Sequence, residues 1–183
     1  MASIGTLNWQ KTVFVLVDIQ EKFLPVINNI HEVITNANIL AKASKILKIP
    51  LIVTEQYPQG LGKTSSKITL PSDHFLIEKT HFSCFGSEEF KNQIETLKIN
   101  SIVLFGIEAH VCILKTALDE LKNNIDVHVI QDAVSSRTYE NKMIAIERMR
   151  QSGAFISSTE MILFQLLESA GTDEFKEISR LIK

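Results

Sequence analysis

The chain has little of what breaks or staples structure. Its 183 residues include seven glycines, four prolines and two cysteines. Cys84 and Cys112 cannot form a disulfide framework, and neither sits in a CxxC or Cys/His cluster with zinc spacing. That usage fits reduced thiols in a cytoplasmic setting. Few breakers and 45% apolar content argue against disorder. No apolar run approaches ~20 residues, so no membrane-spanning helix is expected. A basic block is also missing. Lys and Arg number 19 against 21 Asp and Glu, for a net charge of −2. Nucleic acid is therefore not an expected partner. Met1 to Gln10 lacks a basic segment followed by an apolar core, so no secretory signal is expected. It also lacks Arg, which counts against an organellar address without closing that route.

What the chain does have is alternation. Short apolar runs at Thr12–Val17, Leu51–Val53, Phe75–Ile77, Ser101–Phe105, Val127–Ile130 and Ala154–Ile156 read as strands. Between them lie amphipathic segments of helical length. Val33, Ile34, Ala37, Leu40, Ala41 and Leu47 mark a helix over His31–Lys48, which Pro50 stops. Ser87, with Glu88 and Glu89, opens a helix to about Leu97. Further helices are expected over 110–123, 138–152, 159–168 and 173–182, with Gly153 as a C′ residue. Residues 57–72, rich in Gly, Pro, Ser and Lys, read as a loop. The pattern predicts one α/β domain over 1–183. It is a three-layer αβα, Rossmann-like sandwich around a mostly parallel six-stranded sheet. The final segment, Phe175 to Ile182, is amphipathic and is expected to pack against another subunit.

Such a sheet gathers its strand ends along one edge. Asp18, Glu55, Lys79, Cys112, Asp132 and Thr159 fall there. Cys112 stands out. Gly106 is expected to end its strand, and the chain then turns into a helix carrying Ile113, Leu114, Ala117, Leu118 and Leu121. A thiol in a first helical turn feels partial positive charge, which favours thiolate. It is either a nucleophile or a packed core thiol. Asp18, directly after an apolar strand, is either a turn residue or a general base. Lys79 is either a solvated charge or a cation holding thiolate and carboxylate in their charged forms. Cys84, between Phe82 and Phe85, reads as structural.

Taken together, these residues resemble the isochorismatase-like cysteine hydrolases, and most closely the isochorismatase domain-containing proteins. The resemblance runs from about Thr12 to Thr159. Its carriers are Val15-Leu16-Val17-Asp18-Ile19-Gln20 with Phe23, Thr54-Glu55-Gln56-Tyr57-Pro58 with Gly60-Leu61-Gly62, and Glu78-Lys79 with Phe82-Ser83. Gly106-Ile107-Glu108-Ala109-His110-Val111-Cys112, Gln131 to Arg137 and Glu147 to Ala154 complete the set. The resemblance implies a catalytic triad of Asp18, Lys79 and Cys112 acting on a small amide or related acyl substrate through a thioester. It also implies a cis peptide at Ile107-Glu108 and an oxyanion hole from the backbone N–H groups of Glu108 and Cys112.

Metal-dependent nicotinamidases of this type carry an Asp-x-His set after the second strand. Here that stretch is Val53-Thr54-Glu55-Gln56-Tyr57, without His, so neither metal nor cofactor is expected. Gln20, Phe23, Gln56, Tyr57, His81 and Phe82 are candidate pocket walls. His81 shares a face with Lys79 on an extended segment and is an alternative base. His110, about 200° around a helix from Cys112, faces away from the thiol. Glu108 points either outward or at acidic substrates. The expected partners are a small-molecule substrate and further copies of the chain, as a dimer or higher oligomer. Two other readings stand beside the hydrolase: a catalytically quiet binding or scaffold protein, and a thiol redox sensor at Cys112.

Overall fold

The computed structural model describes residues 3–183. Six strands form one sheet: β1 (Thr12–Val17), β2 (Leu51–Gln56), β3 (Phe75–Lys79), β4 (Ser101–Ile107), β5 (Asp126–Ser135) and β6 (Phe155–Ser157). Every pairing is parallel, in the order β3-β2-β1-β4-β5-β6. Central strands of a parallel sheet are covered on both faces and read as continuous apolar runs. All six residues of β1 are buried.

The helices are α1 (Ile30–Ile46), α2 (Pro58–Leu61), α3 (Glu88–Leu97), α4 (Leu114–Lys122), α5 (Tyr139–Gln151), α6 (Thr159–Leu166) and α7 (Asp173–Leu181). Their apolar faces divide the core in two. Phe14, Leu16, Val53, Val103 and Phe105 pack beneath Val33, Ala37 and Leu40 of α1, with Ile162 of α6 and Ile178 of α7. On the other face Val13, Val15, Ile52, Leu104 and Val129 meet Phe90 of α3, Ala117 of α4 and Ile146 of α5. Caps fix several helix starts. Ser87 accepts from the Phe90 N–H, and Thr138 accepts from the Asn141 N–H at 3.2 Å.

Several expectations need correction. Gly106 does not end its strand; β4 runs on to Ile107. Gly106 has φ +122°, and a Cβ there would lie 2.1 Å from the Val17 carbonyl oxygen. Glycine is present because the β1 backbone presses against it, not because a turn begins. Strand β5 likewise continues five residues beyond Ile130 to Ser135. The loop after β2 contains the single turn α2. Finally, α7 does not keep its apolar face for another subunit. Ile178 is fully buried in this chain's own core, with Leu181 and Ile182 packed against it.

Strand order places the site. From β1 the chain passes to α1 on one face; from β4 it passes to α4 on the other. Neighbouring strands that diverge in this way leave a crevice at their carboxyl ends. Asp18 follows β1 and Cys112 follows β4.

Candidate active site

Asp18 leaves β1 with φ +53°, a left-handed conformation that Asp tolerates better than most side chains. Its carboxylate is fully buried. Lys79, the last residue of β3, reaches it with Nζ 2.7 Å from Oδ2, and both side chains are at 0% exposure. Nζ also donates to Gln56 Oε1 at 2.7 Å. The other carboxylate oxygen, Oδ1, accepts from Thr54 Oγ1 at 2.7 Å. Burial works against the Lys79 ammonium, but the Asp18 carboxylate together with the Cys84 and Cys112 thiol groups outweighs it and raises its pKa above the ordinary lysine value.

The Cys112 thiol is close enough to Asp18 and Lys79 for both charges to act on it. The residue is 5% exposed. Burial, followed by the charge on Asp18, pushes the thiol pKa up, and Lys79 pulls it down only in part. The first-turn argument for a thiolate is thus outweighed, since burial and the Asp18 charge both favour the thiol. Its backbone also differs from expectation. Residues Ala109–Ile113 form a wide π turn, in which the Ile113 N–H donates to the Glu108 carbonyl at 3.2 Å, before α4 begins. Such turns recur at functional sites.

The Ile107–Glu108 peptide is cis. Among the described residues no backbone carbonyl accepts from the Glu108 N–H. The Glu108 side chain is buried and paired with Arg137: Nε lies 2.9 Å from Oε2 and Nη2 lies 3.1 Å from Oε1. It is therefore neither a free outward charge nor a free carboxylate in the pocket. His110 Nδ1 lies 3.0 Å from Ser136 Oγ.

The remaining candidates divide. Gln20 and Gln56 are struts: Gln20 Nε2 donates to the Gln56 and Gly62 carbonyls, and Gln20 Oε1 accepts from the Gln56 N–H. Their amides are committed internally. Phe23 packs on the core. Tyr57, 52% exposed, and Phe82, 58% exposed, stand at the surface. Tyr57 and His81 line a cleft of about 540 Å³ that runs past Glu78 to Lys79. Cys112 does not line it. The His81 ring packs on Gly86, and only its carbonyl faces Lys79, at 3.4 Å from Nζ. Its ring is therefore not directed at Lys79.

Two other edge residues are structural. Glu55 Oε1 accepts from the Thr64 N–H and hydroxyl, and Asp132 Oδ1 accepts from those of Thr159. Cys84 is fully buried, its N–H donating to Thr116 Oγ1 at 3.0 Å, and burial pushes its thiol up to about 12. Among the described residues no three His, Cys, Asp or Glu side chains gather as a metal-holding set. Sequence reasoning missed Thr54 and Arg137 as site residues. Thr54 could have been found as the one hydroxyl in the run Leu51-Ile52-Val53-Thr54.

Comparison with known proteins identifies the family and the fold. The isochorismatase domain model matches residues 12–161. The chain belongs to the isochorismatase family. Isochorismatase domain-containing protein 2 of Danio rerio is 41% identical over 185 residues, covering 100% of this chain and 92% of that protein. Isochorismatase domain-containing protein 1 of the same species is 38% identical over the whole chain, which spans only 65% of its length. Among solved structures, the MAR1 ribonuclease of Caenorhabditis elegans superposes with a TM-score of 0.91 at 37% identity, over 96% of this chain and 91% of that one. The YcaC gene product of Escherichia coli, an octameric hydrolase of unknown specificity, shares the fold. Its TM-score is 0.80 at 20% identity, over 91% of this chain and 84% of its own. The family and its α/β hydrolase fold are therefore secure for this chain.

Proposed function

We propose that this isochorismatase-family hydrolase is a cysteine amidase acting on a small amide or related acyl compound. The observation that carries the reading is the buried Asp18–Lys79 pair, closed at 2.7 Å, whose charges both act on the buried Cys112 thiol. An ion pair so buried is seldom a gain in stability by itself. A thiol needing a base explains its presence. Asp18 takes the thiol proton and sulfur attacks the carbonyl carbon. The oxyanion is received by the N–H groups of Glu108 and Cys112. Collapse breaks the C–N bond, with the proton passing from Asp18 to the departing amine. Asp18 then deprotonates water, which cleaves the thioester and restores the thiol. No step calls for a metal or cofactor.

The test needs no known substrate. Iodoacetamide alkylation of Cys112 is followed by mass spectrometry against pH, with fully buried Cys84 as the silent thiol. Cys112 is expected to react at least about tenfold faster than Cys84 near neutral pH. Asp18→Asn and Lys79→Ala are each expected to change its profile. A Cys112 that is inert, or indifferent to both substitutions, removes the reading. A panel of small amides, with Cys112→Ala as blank, then seeks the substrate.

The name of the Caenorhabditis elegans neighbour favours a second reading, RNA cleavage. Against it stand the net charge of −2 and a Lys79 already spent on Asp18 and Gln56. A labelled RNA included in the panel decides between them. Assembly belongs to the same proposal. Exposed Tyr139, Ile144 and Phe164 and the octameric fold neighbour support a homo-oligomer, and two unpaired thiols support a cytoplasmic setting. Sedimentation velocity giving a monomer mass at every concentration refutes the oligomer.

A further inference from the structure

Glu108, the residue that is proposed to supply an oxyanion-hole N–H, carries a buried carboxylate on a side chain only 6% exposed. Left unpaired, it would set a buried negative charge against the one that develops in the reaction. It is not left unpaired. Arg137 grips both of its oxygens, through Nε at 2.9 Å and Nη2 at 3.1 Å. A bidentate pair of this kind fixes orientation as well as charge.

The grip comes from a firm base. Arg137 follows β5 by two residues. Ser136, just before it, is fully buried. Its carbonyl accepts from the Asn28 N–H at 2.9 Å, and its hydroxyl meets His110 of the π turn at 3.0 Å. Ser135 adds a hydroxyl bond to the Asn28 carbonyl at 2.6 Å. The segment carrying Arg137 is thus tied both to the loop before α1 and to the turn carrying Cys112. Arg137 itself is 60% exposed, with only its paired edge directed inward. It touches neither Asp18, Lys79 nor Cys112 by any hydrogen bond.

We propose that Arg137 is a positioning residue for the oxyanion. It cancels the charge of Glu108 and holds that residue so that its N–H faces the reacting carbonyl. The inference rests on the hydrolase reading and adds to it a residue outside the triad.

Two reagents separate this role from a structural one. p-Nitrophenyl acetate acylates a thiol through a tetrahedral oxyanion. The S–C bond forms, p-nitrophenolate leaves, and the thiol proton goes to Asp18. Iodoacetamide alkylates the same sulfur by direct displacement of iodide, with no oxyanion. Loss of a single oxyanion donor in other enzymes lowers rates about 10²- to 10³-fold. A donor displaced rather than removed is expected to lose less. Arg137→Ala should therefore slow acylation of Cys112 about 10- to 100-fold while alkylation stays within about twofold. Glu108→Gln added to Arg137→Ala should recover most of the lost acylation, because the uncancelled charge is then gone. Arg137→Gln serves if the alanine variant does not fold, which alkylation of buried Cys84 would reveal.

Unchanged acylation in both Arg137 variants overturns the inference. So does an equal loss in both reactions, or a double variant no faster than the single. A wild-type Cys112 inert to both reagents overturns the hydrolase reading and this inference with it. A reactive wild type with an unaffected Arg137 variant overturns this inference alone.

Discussion

Asp18 has two carboxylate oxygens, and each has its own donor. Lys79 takes Oδ2 and Thr54 takes Oδ1, both at 2.7 Å. A carboxylate held in this way presents one face to the thiol without searching rotamers. In the proposed reaction, Thr54 is the residue that aims the base. Thr54→Val keeps the shape and removes the donor, leaving a buried acceptor unsatisfied. The expected loss of stability is about 1–3 kcal/mol, read from the denaturant midpoint. Alkylation of Cys112 should slow about tenfold, and Thr54→Ser should restore it. If the valine variant matches the parent in both measurements, Thr54 is packing only. The apolar run before it marks Thr54 as a polar exception, but not its role. It follows from register, since Thr54 lies beside Val17, the residue before Asp18.

At the scale of elements, periodicity revealed the strands and the long helices, because their apolar faces repeat. Asp18, Lys79 and Cys112 could be singled out because strand ends in a parallel sheet gather on one edge, whatever the side chains do next. What periodicity could not reveal were features that depend on a neighbour. Gly106 reads as a terminator in one dimension. In three it is the place where β4 lies against Val17. The π turn at Ala109–Ile113 has the composition of an ordinary helix start. The amphipathic stripe of α7 showed that an apolar partner exists but not whose; its partner is α1 of the same chain. Arg137 escaped for the same reason. It is 29 residues from Glu108 in sequence, and no local pattern joins them. Gln20 and Gln56, expected as pocket walls, instead brace Lys79 and β2 through internal hydrogen bonds.

Across the whole molecule, two buried groups outside the site make stability depend on pH in opposite senses. Glu120 of α4 is fully buried without a hydrogen-bond partner, and burial raises its pKa to about 8. His128 of β5 is also buried without a partner, stacked on Phe155 at 5.1 Å, and burial lowers its pKa to about 4. Between about pH 4.5 and 8 the folded chain keeps the Glu120 proton that the unfolded chain has lost, so this term weakens the fold as pH rises. Between about pH 4 and 6.5 the unfolded chain carries a His128 proton that the folded chain refuses, so this term strengthens the fold as pH rises. From about 4.5 to 6.5 the slopes oppose, and stability from this pair should be nearly flat. Above 6.5 only Glu120 acts, at about 1.4 kcal/mol per pH unit. The loss should reach about 2 kcal/mol by pH 8. Urea titrations at half-unit steps from pH 5 to 8.5 should show the plateau and the fall, and Glu120→Gln should abolish the fall. If the variant keeps the parent's slope above 6.5, the Glu120 carboxyl is ionised in the fold and its burial does not govern it. The two groups lie on different elements, and neither serves the triad. The pH dependence of folding and that of Cys112 reactivity should therefore separate cleanly in the same variant.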